Sequence, residues 1–251
     1  MGIPSRAFLV LLLLSFSVAN SPAHASPGGR SPTTCDGTWQ VVPSPHVGRS
    51  SYLEDVSADS ATDAWAVGGW SGAIGYDRTL VEHWDGLTWT VVSSPSPGPL
   101  YSLLTDVVAL SPTDVWAVGI QAGVNTTHTL VEHWDGTLWS VVPSVDVGNG
   151  ENDLFGVTAF GTDDVWAVGQ QFSTQGSLLI EHWDGASWTR TPASYRPNSS
   201  GAFLGVAGAA SNDVWAVGNS TTIGGGPTRT LAEHWDGTAW TIVPTVNPRK
   251  R

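Results

Sequence analysis

Four Glu-His pairs are the residues of this chain whose types and spacing most suggest chemistry, because carboxylates and imidazoles are common zinc ligands. The pairs are Glu82/His83, Glu132/His133, Glu181/His182 and Glu233/His234. Ligands of one metal must converge on it, but adjacent strand residues point to opposite faces of a sheet. The pairs also fall in separate repeats, which keeps them apart. The pattern favours hydrogen bonding within or between repeats, and we expect no metal and no cofactor.

A catalytic constellation does not stand out from the repeated residues. The sequence offers no evident Ser/His/Asp triad, Gly-rich phosphate loop or paired carboxylates. Acidic, His or Tyr residues peculiar to one repeat are few, and each fits an ordinary loop position: His46, Glu151, Asp153 and Tyr195. We therefore expect a non-catalytic binding or scaffolding module. The alternatives are a hydrolase or lyase with a site at the central axis of the fold, or a fragment of a longer exported protein.

Aromatic residues supply the candidate ligand-binding site. Of the 14 tryptophans, only Trp70 falls outside the repeat, and the sequence places it in a variable loop. Loop aromatics can stack on sugars or contact peptides. We predict that Trp70 meets a carbohydrate or protein ligand together with Tyr76 and the neighbouring Tyr52 or Tyr101.

Basic residues stand where the variable loops end, at Arg78, His128 and Arg229. One interpretation is a partly basic rim around the ligand. The other is that these residues balance nearby carboxylates in an acidic chain.

A repeat of about fifty residues organises the chain. Asp-x-Trp-Ala-Val-Gly recurs at 63–68, 114–119, 164–169 and 213–218, and each copy is followed by Glu-His-Trp-Asp-Gly and a further Trp. Each unit reads as four short strands rich in β-branched and aromatic residues, with Asp-Gly at a tight hairpin. A period near 50 indicates the blades of a β-propeller. The predicted fold is all-β, with four-stranded antiparallel blades at about 52–95, 101–145, 153–194 and 202–245.

The motifs resemble those of kelch-type repeats and the related galactose-oxidase-like propellers. The second strand ends in glycine, doubled once at Gly68-Gly69, and an aromatic-Asp pair is followed by Trp, as in residues 84–89. The resemblance implies propeller blades from Cys35 to Pro244 and says little about activity. Copper-oxidase activity is not implied, because the lone Cys35 precedes the first blade.

One extra strand is predicted at 37–43, before the four complete units. Three arrangements remain open. The extra strand could pair at the seam of a four-bladed disc, which is the working expectation. An open array could instead close by self-association through this strand, or the chain could be part of a longer propeller.

The N-terminal sequence predicts where the protein is located, and its charge limits the partners that it can bind. Residues 1–25 carry Arg6, a short apolar run and Ala23-His24-Ala25, which predicts a secretory signal peptide cut after Ala25. A flexible leader at 26–36 and a basic tail at 246–251 complete the chain. We expect a secreted protein, extracellular or at the cell surface and not membrane-embedded. The net charge of −12 argues against a nucleic-acid partner.

Overall fold

The computed structural model describes residues 39–72, 77–173, 176–194 and 198–246. All sixteen regular elements in these ranges are β-strands. They form four separate four-stranded sheets, each antiparallel and in consecutive strand order. No part of the described chain forms an apolar helix that could cross a membrane. The predicted four blades are confirmed, and residues 42–251 contain all of them in one compact unit.

The strands of each blade follow the order of the sequence. Blade one contains β1 (Ser50–Ser60), β2 (Asp63–Ser71), β3 (Asp77–Trp84) and β4 (Trp89–Val92). Blade two contains β5 (Tyr101–Ser111), β6 (Asp114–Ala122), β7 (Thr127–Trp134) and β8 (Trp139–Val141). Blade three contains β9 (Asn152–Gly161), β10 (Asp164–Ser173), β11 (Gly176–Trp183) and β12 (Trp188–Arg190). Blade four contains β13 (Ser199–Ala210), β14 (Asp213–Thr222), β15 (Thr228–Trp235) and β16 (Trp240–Ile242).

The Trp-Asp-Gly motif makes the turn between the third and fourth strands. In blade one, Asp85 Oδ1 accepts hydrogen bonds from the backbone N–H groups of Leu87 and Thr88, both at 2.8 Å. These bonds lower the pKa of the exposed Asp85 carboxyl. Gly86 then adopts a φ of 93°, a conformation that a residue with a side chain rarely reaches. Asp and Gly are therefore required locally, which explains their recurrence.

The core lies between blades, and one tryptophan contact is repeated at each interface. Trp65 of blade one packs 5.0 Å from Trp134 and 5.5 Å from Trp139 of blade two, between ring centroids. Trp116 makes the same contacts with Trp183 and Trp188, and Trp166 makes them with Trp235 and Trp240. Three hydrophobic clusters centred on these contacts join blade one to two, two to three and three to four. Nine of the repeat tryptophans therefore hold neighbouring blades together, whereas Trp39, Trp84, Trp89 and Trp215 make no such contact between described blades.

The expected closure of the disc is not formed. At the far end of the array, Trp215 and Val217 of blade four are 40% and 50% exposed. At the near end, Leu53 and Val56 of blade one are also exposed. A closed four-bladed ring would bury these residues against each other, as the equivalent residues are buried inside the array. The four blades therefore form an open series with two uncovered ends.

The predicted extra strand is also absent where the structure describes it. Residues 39–47 belong to no strand, and the side chains of Trp39 and Val41 are almost fully exposed. Residues 37 and 38 lie outside the described ranges. A strand forms only where a neighbour offers unpaired backbone groups in register. Each of the four sheets already has its own fourth strand, so this segment has no vacant position to fill.

Candidate ligand-binding edge and buried carboxyl groups

The repeat histidines are held inside their own blades. His83 Nε2 lies 2.8 Å from Asp63 Oδ1, and its ring packs on Trp65 with centroids 4.3 Å apart. The same His-Asp pair recurs in the other three blades at 2.7–2.8 Å. The residues thus serve hydrogen bonding within the repeat, and the partner is the Asp that begins the second strand. Within the described ranges, no three His, Cys, Asp or Glu side chains are grouped so that they could hold a metal ion.

The four repeat glutamates are buried, and two of them, Glu181 and Glu233, bond to the preceding blade. Glu181 Oε2 accepts a hydrogen bond from the backbone N–H of Val145 at 3.3 Å. Glu233 Oε2 accepts one from Ser194 at 2.9 Å. Both donors stand six residues after the fourth-strand Trp of the preceding blade. Burial raises the pKa of Glu181 to about 8. These contacts tie the third strands of blades three and four to the segment that follows the previous blade.

Glu132 lacks this contact because the corresponding donor position is a proline. Pro95 stands six residues after Trp89, and proline has no backbone N–H. Neither carboxyl oxygen of Glu132 accepts a hydrogen bond from the described residues. Burial therefore raises the pKa of Glu132 well above its ordinary value. A single residue change in the preceding blade thus determines whether this buried carboxyl is satisfied.

Trp70 lies on a strand, where the sequence places a loop. It is the second-last residue of β2, and its register partners are Ser51 in β1 and Arg78 in β3. Its side chain is partly buried. Gly48, with a φ of 64°, lies so close that a Cβ there would be 2.5 Å from the Trp70 ring. The ring is therefore supported by backbone on one side.

Tyr52 lies beside Trp70, across the neighbouring Gly69. A Cβ on Gly69 would be 2.9 Å from the Tyr52 hydroxyl, so the glycine makes room for the phenol ring. The hydroxyl donates a hydrogen bond to Asp77 Oδ2 at 3.4 Å. Burial, the Asp77 and Glu54 carboxylates and nearby Tyr101 raise the pKa of Tyr52 to about 12. The second glycine of the Gly68-Gly69 pair thus has a local purpose in blade one.

The predicted site residues divide into those that share one edge and those that do not. Trp70, Tyr52, Arg78 and Tyr101 lie where β1, β3 and β5 begin and β2 ends. The Arg78 guanidinium donates to the backbone carbonyl of Ser96 at 3.3 Å. Tyr76 lies outside the described residues.

His128 and Arg229 occupy the position of Arg78 in blades two and four, so they do not join this group. His128 Nδ1 lies 2.6 Å from Asp146 Oδ2, which fits charge balancing, and Arg229 is exposed.

Two carboxyl groups on the first strands were missed by the sequence reasoning. Asp55 Oδ2 accepts from the N–H of Val107 in the next blade at 3.2 Å. Asp106 Oδ2 likewise accepts from Val157 at 2.7 Å. Burial and the nearby Asp55 raise the pKa of Asp106 well above its ordinary value. The signal was available, because this repeat position is Asp in blades one and two and Gly in blades three and four.

No protein-family model and no curated protein matches the chain. Among solved structures, a YCF48 protein bound to a D1 peptide matches at 14% identity with a TM-score of 0.35, over 76% of this chain and 81% of that one. The six-bladed β-propeller lectin of Aleuria aurantia matches at 14% identity with a TM-score of 0.47, over 78% of this chain and 61% of the lectin. Bacillus subtilis arabinanase matches at 12% identity with a TM-score of 0.40, over 78% and 81%.

The class of the protein follows from the sheets and interfaces described above. Four-stranded antiparallel sheets in consecutive order, packed face to face through a repeated core, are the blades of a β-propeller. The chain is an all-β propeller protein with four blades.

Proposed function

We propose that the chain is an exported, non-catalytic binding module that meets its ligand at the edge formed by Trp70, Tyr52, Tyr101 and Arg78. The observation that carries this proposal is the grouping of a supported indole, a partly exposed phenol and a guanidinium at one edge of blades one and two. Binding sites combine apolar or aromatic surface with a few placed polar groups. This edge offers both.

The ligand class that we favour is a carbohydrate, and the alternative is a protein segment. Sugar rings present an apolar face that stacks on aromatic rings and a rim of hydroxyls that needs donors and acceptors. Asp77 supplies an acceptor beside the Tyr52 hydroxyl, and Arg78 supplies a donor in register with Trp70. The polar groups thus lie within one or two residues of the aromatic rings.

The proposal is tested with a glycan and peptide array, followed by titration of each hit against variants. Stacking on an aromatic ring contributes about 1–3 kcal/mol, so Trp70→Ala is expected to weaken binding roughly 5- to 150-fold. The matched control is Leu87→Ala, which alters an exposed residue in the turn between β3 and β4, at the other end of the strands. A hit that binds the Trp70 variant as tightly as the parent would remove the main support for this edge.

Export rests on the signal-like order of residues 1–25. N-terminal sequencing of secreted protein should begin at Ser26, whereas an intact Met1 on cytosolic protein would contradict export.

A hydrolase or lyase with a site on the first strands is the second candidate. The observation in its favour is the interacting pair Asp55 and Asp106, of which Asp106 has a raised pKa. Such a pair can divide the roles of acid and base. Release of sugar from polysaccharide by the purified chain, abolished by Asp106→Asn, would support this candidate. Equal release by parent and variant would exclude the pair.

A further inference from the structure

Each interface inside the array joins two different and complementary faces. One face presents the second-strand Trp and Val, such as Trp116 and Val118 of blade two. The opposing face presents first-strand apolar residues and two further tryptophans, such as Leu154, Val157, Trp183 and Trp188 of blade three. The incoming Trp contacts both tryptophans of the next blade. Three such interfaces show what normally covers each kind of face.

Each end of the array exposes one of these two faces without a partner blade. We call Trp215 and Val217 the blade-four face, and Leu53, Val56, Trp84 and Trp89 the blade-one face. Trp215 is 40% exposed where Trp116 is 2% exposed. Val56 is 60% exposed where the equivalent Val107 is 4% exposed. The ring centroids of Trp84 and Trp89 lie 5.7 Å apart, and both side chains are partly exposed. No tryptophan of a preceding blade packs on them within the described residues.

We propose that a second copy of this chain binds head to tail, with Trp215 of one copy against Trp84 and Trp89 of the other. The blade-four face of one copy supplies the residues that the blade-one face of the other lacks, in the same repeat register. Such an interface between unlike faces closes when the rotation allows it. Two copies would form a ring of eight blades, which lies within the range of four to eight typical of propellers.

A buried carboxyl group supports the same assembly. Glu82 on blade one is 1% exposed, and its Oε2 accepts no hydrogen bond from the described residues. Its repeat equivalents Glu181 and Glu233 accept from the residue six positions after the fourth-strand Trp of the preceding blade. In a second copy that residue is Val246, six positions after Trp240, and it has a backbone N–H and is exposed.

The segment before β1 must move for the pair to form. Pro45 stands six positions after Trp39, so its position in the repeat corresponds to that of Val246 in a second copy. It cannot donate to Glu82 because it is a proline. The adjacent His46 lies close enough to lower the pKa that burial raises in Glu82. Association would thus replace Pro45, which has no N–H to donate, by Val246 of the second copy, whose N–H can donate to Glu82.

The experiment is light scattering of the full chain over a concentration series, with one variant on each face. The parent should approach twice the mass of its own monomer as the concentration rises. Trp215→Glu and Val56→Glu should each weaken the pair about 30-fold or more, as expected when a central interface residue is lost. Val217→Glu is a second variant of the blade-four face. Leu87→Glu, an exposed turn residue, should leave association unchanged.

Mixing the two variants gives the decisive result. A pair of one Trp215→Glu chain and one Val56→Glu chain has both changes at one interface and none at the other. Dimer mass should therefore return on mixing, with a maximum at equal amounts. A parent that stays monomeric at every concentration, a mass that keeps growing beyond two copies, or no recovery on mixing would each overturn the proposal.

Discussion

A single backbone N–H decides the state of a buried glutamate in this repeat. The third-strand Glu is present in all four blades, yet its partner depends on a residue in the preceding blade. Val145 and Ser194 donate to Glu181 and Glu233, whereas Pro95 leaves Glu132 without a donor. Burying an unpaired carboxylate is costly, so the neutral acid is favoured. The pKa values of these groups therefore couple stability to pH.

We expect the protein to lose stability as the pH rises from about 5 to 8. The pKa of Glu181 is about 8 when folded, against an ordinary 4.5, so the folded state holds a proton that the unfolded state releases. Stability therefore falls with rising pH in this window. Glu181→Gln, which is uncharged at every pH, should reduce that loss by on the order of a few kcal/mol.

Urea unfolding at pH 5 and pH 8 measures this effect. Glu151→Gln is the control, because that side chain is exposed. Equal pH dependence in the parent and in Glu181→Gln would show that the buried carboxyl does not drive it.

At the scale of elements, the second-strand tryptophan stabilises the fold more inside the array than at its end. Trp116→Ala removes a buried ring from an interface and should cost about 3–5 kcal/mol. Trp215 holds the same repeat position but is 40% exposed, and its described ring contact is with His234. Trp215→Ala should therefore cost much less. Chemical denaturation of dilute monomer measures the free energy of unfolding of both variants. An equal loss of stability in the two would mean that blade four is covered within its own chain.

The sequence was sufficient where structure is determined locally. Asp85 and Gly86 make their turn through their own backbone and side-chain bonds, so the motif predicts the hairpin in every blade. The tryptophan period likewise predicts the interfaces, because it repeats with the packing unit.

The end of the second strand could not be read in this way. Gly68 suggests that β2 stops, but the strand continues to Ser71. The glycine is needed because a Cβ would lie 2.1 Å from the carbonyl oxygen of Tyr52 in the adjacent strand. A glycine required by close backbone approach looks the same in sequence as one that ends a strand. The glycines therefore predict a loop at Trp70, which the structure places in β2.

The sequence does not predict the exposed faces of blades one and four, for a different reason. Trp215 and Trp116 have the same neighbours in sequence, and only the presence of a following blade buries one of them. The sequence names all four residues of the candidate edge, Trp70, Tyr52, Tyr101 and Arg78, together with three that lie elsewhere or outside the described residues. For the Asp55–Asp106 pair, the sequence shows only that this repeat position is Asp in blades one and two; the contacts of the carboxyl groups depend on how the first strands of neighbouring blades align.

At the scale of the whole molecule, the blades form a linear series in which each contacts its neighbours. Stability in such arrays is approximately a sum of unit and interface terms, and the terminal units need covering. Here the terminal faces carry the same apolar residues as the internal ones, without polar replacements. The outer faces of blades four and one therefore stay uncovered in a single copy of the chain.

Hydroxyl-radical footprinting with mass spectrometry tests that claim most directly. The measurement compares the four second-strand tryptophans in protein dilute enough to scatter as a monomer. Oxidation should be much faster at Trp215 than at Trp65, Trp116 and Trp166, each of which is 2% exposed. If Trp215 in the monomer is as protected as the other three, the seam is closed within one chain and the open array is wrong.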